Sequence, residues 1–277
     1  MKNAHTVAPN KGEAPHAIVT GGSDGIGRAV ALRLADAGFA LTLIARRPAL
    51  LEAAAALVRE RGGGAVGTIS RDVADGSGLA EAIAAAEAAH GPCHTLVTAA
   101  GAVRPGRFDA LDDADFAQQM AVNYFGTVAA VRAVWPGMVA RGSGRIAMVS
   151  SAAALIGIYG YTAYAGSKFA VRGFAEALRG EARANGITVT LCYPGDTDTA
   201  QYAEELAARP AETSAIAGKA SLVGPDHVAR ALVRGLDRGE FAVYPGLKVA
   251  LLGRTGSLIA PFLNAGFDRV VRRLRQR

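Results

Sequence analysis

Short apolar runs alternate with longer amphipathic segments along most of the chain. The apolar runs predict strands near residues 16–20, 40–45, 65–70, 95–98, 145–150, 188–193 and 240–243. The Ala-rich segments between them predict helices near 26–37, 48–61, 77–90, 113–137, 161–184 and 225–237. Strands that are apolar on both faces are typical of a parallel sheet covered by helices on both sides. The pattern therefore predicts an α/β fold, a doubly wound parallel sheet of about seven strands.

No linker-like composition divides this alternation, so we expect a single domain over residues 15–245. Residues 1–14 have no apolar run of the signal-peptide kind and are expected to form a flexible lead-in. The polar, Ala-rich stretch 199–224 is a candidate lid, and an ordinary surface excursion is equally compatible with it. Residues 246–277 form a C-terminal extension.

Composition and charge exclude several classes of protein. The chain has 277 residues, of which 51% are hydrophobic and 19% charged, which fits a globular core and excludes disorder. The formal net charge is +6, but residues 269–277 hold five arginines and no acidic residue, so the rest is near neutral. No basic patch is interleaved with aromatic residues, and nucleic-acid binding is not expected. The longest uncharged run, 146–167, is interrupted by glycines, so no membrane span is expected.

The basic C-terminal segment has its own periodicity. Large apolar residues recur there at helical spacing: Leu263, Phe267, Val270, Val271 and Leu274. A basic amphipathic helix can lie on an anionic bilayer, so peripheral contact with a membrane is one interpretation. A docking helix with a solvated basic face and an oligomer contact are the alternatives.

The cysteines indicate that the protein works in a reducing compartment, and the histidines do not form a pattern that predicts a metal site. Cys93 and Cys192 lie in apolar surroundings, 99 residues apart, and are expected to be buried thiols. His90 and His94 are separated by a Gly-Pro pair and have no third ligand nearby. A cytoplasmic location is expected, with the cytoplasmic face of a membrane as the one further option.

The first predicted strand runs directly into a glycine-rich loop and then a helix. Such a junction allows close backbone approach, and the helix N-terminus offers N–H groups and a positive dipole to a pyrophosphate. The sequence therefore indicates a Rossmann-like dinucleotide site. Its expected contacts are Gly21, Ser23, Asp24, Gly25, Ile26 and Gly27.

The end of the second predicted strand bears on the choice of cofactor. Arg46 and Arg47 stand where an acidic residue would hold the ribose 2′-hydroxyl of NAD. A guanidinium pairs with phosphate, so we expect NADP(H), although Asp24 is a mild counter-signal. Asp72, directly after the third strand, is placed to accept a hydrogen bond from adenine, or to cap a helix.

One helix carries the candidate catalytic pair. Tyr164 and Lys168 are four residues apart and share a face, where a cation is expected to lower the phenol pKa for general acid chemistry. The same spacing recurs over 244–248, but Pro and Gly between the two residues should break that helix. Ser151 ends the fifth strand, and Asn123 lies in the preceding long helix.

Together these motifs resemble the short-chain dehydrogenase/reductase family over about residues 15–270. The resemblance implies that Tyr164 protonates a substrate carbonyl oxygen while NADPH delivers hydride to its carbon. It implies that Ser151 orients the carbonyl, that Lys168 lowers the Tyr164 pKa and contacts the nicotinamide ribose, and that Asn123 holds a proton-relay water.

The same resemblance implies further cofactor contacts at Val73, Ala100, Gly101, Pro194, Gly195, Thr197 and Thr199. It also implies a homo-oligomer formed through the long helices 113–137 and 161–184. One departure is Thr98-Ala99 where the family usually has two asparagines. Local stabilisation of the central sheet is therefore expected to come from elsewhere.

Within the family, residues 157–178, 193–199 and 267–273 look like 3-ketodihydrosphingosine reductases, although Gly195 replaces a proline usual there. The resemblance implies NADPH-dependent reduction of a lipophilic amino ketone, 3-ketosphinganine, to sphinganine in sphingolipid biosynthesis. The low aromatic and high alanine content suggest a bacterial version. Asp196 or Asp198 could pair with the substrate amine or cap a helix. The alternatives are a 3-oxoacyl thioester or hydroxysteroid reductase, and a non-catalytic cofactor-binding regulator.

Overall fold

The computed structural model describes residues 14–62, 64–218 and 222–276. The expected flexible lead-in, apart from Ala14, lies outside the described residues. Gly63, residues 219–221 of the candidate lid and Arg277 also lie outside them.

In the described residues, seven parallel strands form one sheet. The strands are β1 (His16–Thr20), β2 (Ala40–Ala45), β3 (Val66–Ser70), β4 (Cys93–Thr98), β5 (Gly144–Val149), β6 (Ile187–Cys192) and β7 (Ala242–Val243). Their order is β3-β2-β1-β4-β5-β6-β7. The predicted doubly wound parallel sheet is confirmed.

Helices cover both faces of this sheet. Those in the described residues are α1 (Gly25–Asp36), α2 (Pro48–Glu60), α3 (Gly76–His90), α4 (Asp113–Met120), α5 (Gly126–Arg141), α6 (Thr162–Ala184), α7 (Ala200–Ala208), α8 (Ala211–Ala217), α9 (Pro225–Arg238) and α10 (Leu247–Arg275).

Two buried apolar clusters hold the layers together, one on each face. Successive strand residues point to opposite faces, so Ile18 belongs to one cluster and Val19 to the other. The first cluster packs against α3, α5 and α6, and the second against α1, α2 and α9. Cys93 and Cys192 are free thiols buried in this core, as predicted.

The sheet order fixes where a ligand can bind. The chain builds β2 and β3 on one side of β1 and then returns to place β4 on its other side. Thr20, the last residue of β1, pairs with Ile44 of β2 and Thr98 of β4. A crevice opens outside the carboxyl ends of the strands at such a reversal, which is where doubly wound sheets bind ligands.

The predicted helix 113–137 is present and runs on to Arg141, but it contains a feature that the prediction lacked. A π-helical turn, Ala121–Phe125, separates α4 from α5. Such turns insert one extra residue and occur frequently at functional sites. Hydrophobic periodicity alone does not reveal this insertion, because a single extra residue shifts the apolar pattern by only one position.

The C-terminal extension is helical from close to its expected first residue. A single helix, α10, begins at Leu247, well before the apolar repeat that starts at Leu263. Phe267 and Val271 of that repeat are half-buried and line a cavity beneath the helix. The predicted stripe is therefore the inner side of α10. In the described residues no helix has the length and hydropathy that crossing a membrane requires.

Candidate active site

A cavity of about 700 Å³ lies at the carboxyl ends of the central strands. All the predicted site residues except Asn123 line it. They are Gly21, Ser23, Asp24, Gly25, Ile26, Gly27, Arg46, Arg47, Asp72, Val73, Ala100, Gly101, Ser151, Tyr164, Lys168, Pro194, Gly195, Thr197 and Thr199. The fold therefore brings residues from distant parts of the chain to one place, and their individual roles remain predictions.

The glycine-rich loop is shaped by close backbone contacts. Gly21 has a φ of +71°, and a Cβ there would lie 2.5 Å from the Ala100 nitrogen, so only glycine fits. Asp24 caps α1 by accepting a hydrogen bond from the Gly25 nitrogen at 2.7 Å, and it pairs with Arg28 at 3.1 Å. Asp24 is therefore engaged within its own loop, and the N-terminus of α1 lies at the cavity.

Three guanidinium groups line one end of the cavity. Arg46 and Arg47 follow β2, and Arg71 follows β3. Arg46 lies 3.9 Å from Asp72, while the buried Nε of Arg71 has no hydrogen-bond partner among the described residues. Sequence reasoning missed Arg71, although its place beside Asp72 at a strand end could have indicated it. The three side chains can together hold an anion such as a phosphate.

Asn123 lies behind the cavity wall and does not line the cavity. Its side chain is buried, and it bonds the Ala102 backbone twice, accepting from the nitrogen at 2.8 Å and donating to the oxygen at 2.9 Å. The side chain also donates to the Ser167 hydroxyl at 2.8 Å. The backbone carbonyl of Asn123 accepts a hydrogen bond from the Thr127 hydroxyl at 2.8 Å. The side-chain amide is thus committed to the protein.

These bonds explain how the loop after β4 is held without the usual two asparagines. The Thr98 hydroxyl is buried without a hydrogen-bond partner among the described residues, so it does not replace them. Asn123 instead fixes Ala102 from the π-helical turn. These two bonds are a source of stabilisation for the loop after β4 that lies outside the loop itself.

Tyr164 and Lys168 lie on one side of α6, with the Lys168 Nζ 5.8 Å from the centre of the Tyr164 ring. The Lys168 ammonium donates to the Val149 carbonyl at 3.2 Å. Burial lowers the pKa of Lys168 to about 8. In the second pair of this spacing, Tyr244 precedes α10 and only Lys248 is helical, as the intervening Pro and Gly predict.

The pKa of Tyr164 differs from the sequence-based expectation. Burial raises it above the usual value of a phenol, and a hydrogen bond with the Ser151 side chain opposes that rise. The carboxylates of Glu205 and Asp196 raise it further. The phenol therefore holds its proton in this cavity, which is the form that a proton donor needs.

The wall beside Tyr164 contains an ion cluster that sequence reasoning missed. Arg209 has a side chain only 5% exposed, and it contacts Asp196 at 3.1 Å and Glu205 at 2.6 Å. Tyr161, whose ring centre lies 5.7 Å from that of Tyr164, hydrogen-bonds to Glu205. The i, i+4 spacing of Glu205 and Arg209 within the candidate lid was the available signal.

The two proposed amine partners of the substrate lie in different places. Asp196 lines the cavity and pairs with Arg209, whereas Asp198 is exposed and is not among the lining residues. The lining thus carries Arg46, Arg47 and Arg71 at the end near β2 and β3, whereas the carboxylates Asp196, Glu204 and Glu205 share the rest of the lining with Lys168 and Arg209.

The candidate lid consists of α7 and α8 in its described part. Thr199 caps α7 and lies against Gly25, so this segment closes over the glycine-rich loop. The Thr213 hydroxyl donates to the Tyr159 carbonyl at 2.8 Å. Movement of the segment remains a prediction. Over residues 14–62, 64–218 and 222–276, no group of three or more His, Cys, Asp or Glu side chains is placed to hold a metal ion.

Comparisons with known proteins agree with this geometry. A 3-dehydrosphinganine reductase from Danio rerio is 41% identical over 237 residues, covering 84% of this chain and 71% of that protein. A 3-ketodihydrosphingosine reductase from Bos taurus is 36% identical, with 93% of this chain and 86% of that protein covered. A counterpart from Mus musculus is 37% identical, with 92% and 79% covered.

Solved structures share the fold. Levodione reductase superimposes with a TM-score of 0.77 at 24% identity, over 84% of this chain and 96% of that one. A short-chain dehydrogenase from Mycobacterium paratuberculosis, solved with NAD, gives 0.74 at 24% identity, over 85% and 97%. A family model described as short chain dehydrogenase matches residues 15–210. The chain therefore belongs to the short-chain dehydrogenase family of oxidoreductases.

Proposed function

We propose that the protein reduces the 3-keto group of 3-ketosphinganine to sphinganine, a step of sphingolipid biosynthesis, with NADPH as reductant and Tyr164 as proton donor. The observation that carries this proposal is the 36–41% identity to reductases named for this substrate, over most of the chain. The convergence of Ser151, Tyr164 and Lys168 on one cavity supports it.

The side chains have complementary parts in this reaction. A bound NADPH supplies hydride to the carbonyl carbon. Ser151, which shares a hydrogen bond with Tyr164, orients the carbonyl oxygen, and Tyr164 gives its proton to that oxygen. The alcohol forms and the phenolate is left beside the Lys168 cation, which stabilises it until solvent returns the proton.

The arginine-lined end of the cavity supports NADPH over NADH. Arg46, Arg47 and Arg71 face a position beyond β2 and β3, where this fold places the adenosine ribose. A 2′-phosphate would pair with these guanidiniums, and no acidic residue ends β2 to hold a 2′-hydroxyl instead.

The ion cluster of Arg209 favours an amino ketone among the candidate substrates. Asp196 and Glu205 share this one arginine, so their carboxylates can also accept a hydrogen bond from an ammonium beside the carbonyl. The complete set of Ser151, Tyr164 and Lys168 speaks against a non-catalytic regulator.

A substrate panel tests this assignment. The purified protein should oxidise NADPH with 3-ketosphinganine at a higher kcat/KM than with a short β-keto ester or a steroid ketone, and sphinganine should be the product. Preference for either rival ketone would overturn the substrate assignment. Failure to oxidise NADPH with any ketone would favour the regulator.

We also propose that a second copy of the chain covers the long helices α5 and α6. Phe125, at the start of α5, and Phe169, in α6, are 58% and 40% exposed. Exclusion chromatography with light scattering should show an oligomer that Phe125→Ser/Phe169→Ser disrupts. A monomeric wild-type protein would contradict this.

A further inference from the structure

A second cavity, of about 490 Å³, lies beneath α10. Its apolar wall is formed by Ile158 from the loop before α6, Ile216 from α8, and Phe267 and Val271 from one side of α10. The two α10 residues are four apart and half-buried, so they face the body of the protein together. None of these four side chains has a part in the proposed chemistry.

The two cavities meet at Ile158, which lines both of them. The neighbouring Ile156 and Ala217 line the main cavity, and Ile216 lines the second. Ile158 thus lies between the catalytic cavity and the space under α10, and an apolar chain that begins at a carbonyl beside Tyr164 would have to pass this one side chain to reach that space.

We propose that the cavity beneath α10 binds the long alkyl chain of the substrate. The proposal rests on the proposed function for the identity of the chain, and it is carried by the apolar lining of this cavity and by its position directly beyond Ile158 of the catalytic cavity. Burial of each methylene group raises affinity about fourfold, so a site of this kind makes kcat/KM depend steeply on chain length until the cavity is filled.

The substitution Val271→Trp would fill this cavity from α10 and leave the catalytic residues unchanged. Wild-type kcat/KM should rise with the chain length of the amino ketone, and V271W should lose at least about tenfold on long chains while it keeps its activity on short ones. Ser257→Trp, at an exposed position of the same helix, is the control and should behave as wild type. An undiminished preference of V271W for long chains overturns the proposal.

A binding measurement separates this result from failure of the proposed function. Calorimetry should show that dodecylamine binds the wild-type protein more tightly than butylamine does, and that V271W loses the difference while NADPH binding persists. If no amino ketone is reduced but this pattern holds, the chain site stands and the proposed function falls. Equal dodecylamine binding by V271W and wild type overturns the chain site.

The outer side of α10 carries a second, independent feature. Leu247, Leu251, Leu258 and Phe262 are 91%, 61%, 74% and 80% exposed. Their spacings of four, seven and four residues place them on one face of the helix, opposite the side that lines the cavity. So many large apolar side chains exposed together mark an interaction surface.

Charge identifies the partner of this face. The described part of α10 has six basic residues, all exposed, and one acidic residue, Asp268. Arg269 and Arg273 continue the apolar face toward the C-terminus at helical spacing. Apolar side chains beside a basic cluster match the acyl boundary and headgroups of an anionic bilayer.

We infer that α10 docks the protein on an anionic membrane surface through Leu247, Leu251, Leu258 and Phe262, with its basic residues against the headgroups. The helix lies in the interface and does not span it. The cavity on the inner side of the same helix is then held close to the bilayer.

Vesicle co-sedimentation tests this surface. The full chain should sediment with phosphatidylglycerol vesicles more than with phosphatidylcholine vesicles, and Leu258→Ser/Phe262→Ser should reduce binding about tenfold or more. Phe108→Ser, at an apolar position 71% exposed elsewhere, is the control and should bind as wild type. Equal binding by the double variant overturns the inference. So does self-association through this face, detected as an oligomer that the double variant dissolves, without vesicle binding by the wild type.

Discussion

At the scale of residues, the pKa of a side chain depends on how deeply the side chain is buried. Tyr164 and Lys168 were predicted from their spacing together with the absence of Pro between them, but their pKa values depend on burial, which the sequence pattern does not contain. Burial raises the pKa of Tyr164 and lowers that of Lys168 to about 8. In the proposed mechanism, the Lys168 cation that supports the phenolate is therefore the group that titrates near pH 8, while the phenol stays protonated.

This assignment predicts an alkaline limit on reduction. Lys168 loses its charge as pH rises through about 8, so kcat/KM for NADPH, which reports the free enzyme, should fall above that pH. Tyr164 should not limit the same range, because its pKa lies higher. Steady-state kinetics over roughly two pH units on either side of about 8 measures how kcat/KM depends on pH. Lys248→Met, at an exposed lysine, is the control and should show the same alkaline fall in kcat/KM as wild type. A wild-type kcat/KM that does not change with pH over this range would contradict the role of Lys168.

The choice of cofactor is also a residue-scale question. Arg46→Asp should lower the ratio of kcat/KM for NADPH to that for NADH by about ten- to a hundredfold, because a charged hydrogen bond is lost and a repulsion is gained. Arg183→Asp, an exposed change on α6, should leave the ratio alone. An unchanged ratio in R46D would show that Arg46 does not select the phosphate.

At the scale of elements, the alternation of apolar runs and amphipathic segments predicted the strands within about two residues, because buried parallel strands carry a strong apolar signal. The π-helical turn between α4 and α5 and the second apolar side of α10 were missed. A π-helical turn leaves the apolar pattern nearly intact, and α10 has apolar residues on two sides, so one helical period cannot describe it. The ion cluster of Arg209 was missed because its members converge only when α7 folds over β6.

The π-helical turn predicts a measurable contribution to stability. Asn123→Ala removes two hydrogen bonds to Ala102 and leaves the half-buried backbone groups of Ala102 without these partners, which should lower the free energy of unfolding by about 1–3 kcal/mol. Asn185→Ala, which removes a single exposed bond to the Glu181 carbonyl, should cost less than about 1 kcal/mol. Urea unfolding of the two variants makes the comparison. Equal losses would mean that Asn123 does not hold the loop.

At the scale of the whole molecule, the position of charge matters more than its sum. Most of the formal net charge of +6 comes from the C-terminal helix, whereas the catalytic domain balances its charges locally. Within the cavity, Arg46, Arg47 and Arg71 lie at one end, and the ion cluster of Arg209 with Asp196 and Glu205 lies in the wall beside Tyr164. The sequence predicted the basic C-terminus, but it could not order charges along a cavity that long-range folding creates.

Buried histidines predict how global stability depends on pH. Burial, with Arg145 and Arg141 nearby, lowers the pKa of His94 to about 4, and burial also lowers that of His16. In the unfolded chain these histidines take up protons near the usual pKa of about 6.5, whereas in the folded protein they do so only at lower pH. The folded state therefore becomes less stable relative to the unfolded state as pH falls from about 6.5 toward 4. Urea midpoints should decrease over this window. His94→Gln should weaken the decrease, and the exposed His227→Gln should not; equal slopes in all three proteins would contradict this origin.

The most direct test of the central claim follows NADPH oxidation and sphinganine formation from 3-ketosphinganine in the wild type, Tyr164→Phe and Tyr244→Phe. Wild type should convert one NADPH per sphinganine. Y164F should lose about a hundredfold or more in kcat, since it lacks the proton donor, while Y244F retains activity because its tyrosine lies outside the α6 pair. Near-normal turnover by Y164F, or absence of sphinganine with the wild type, would contradict the account.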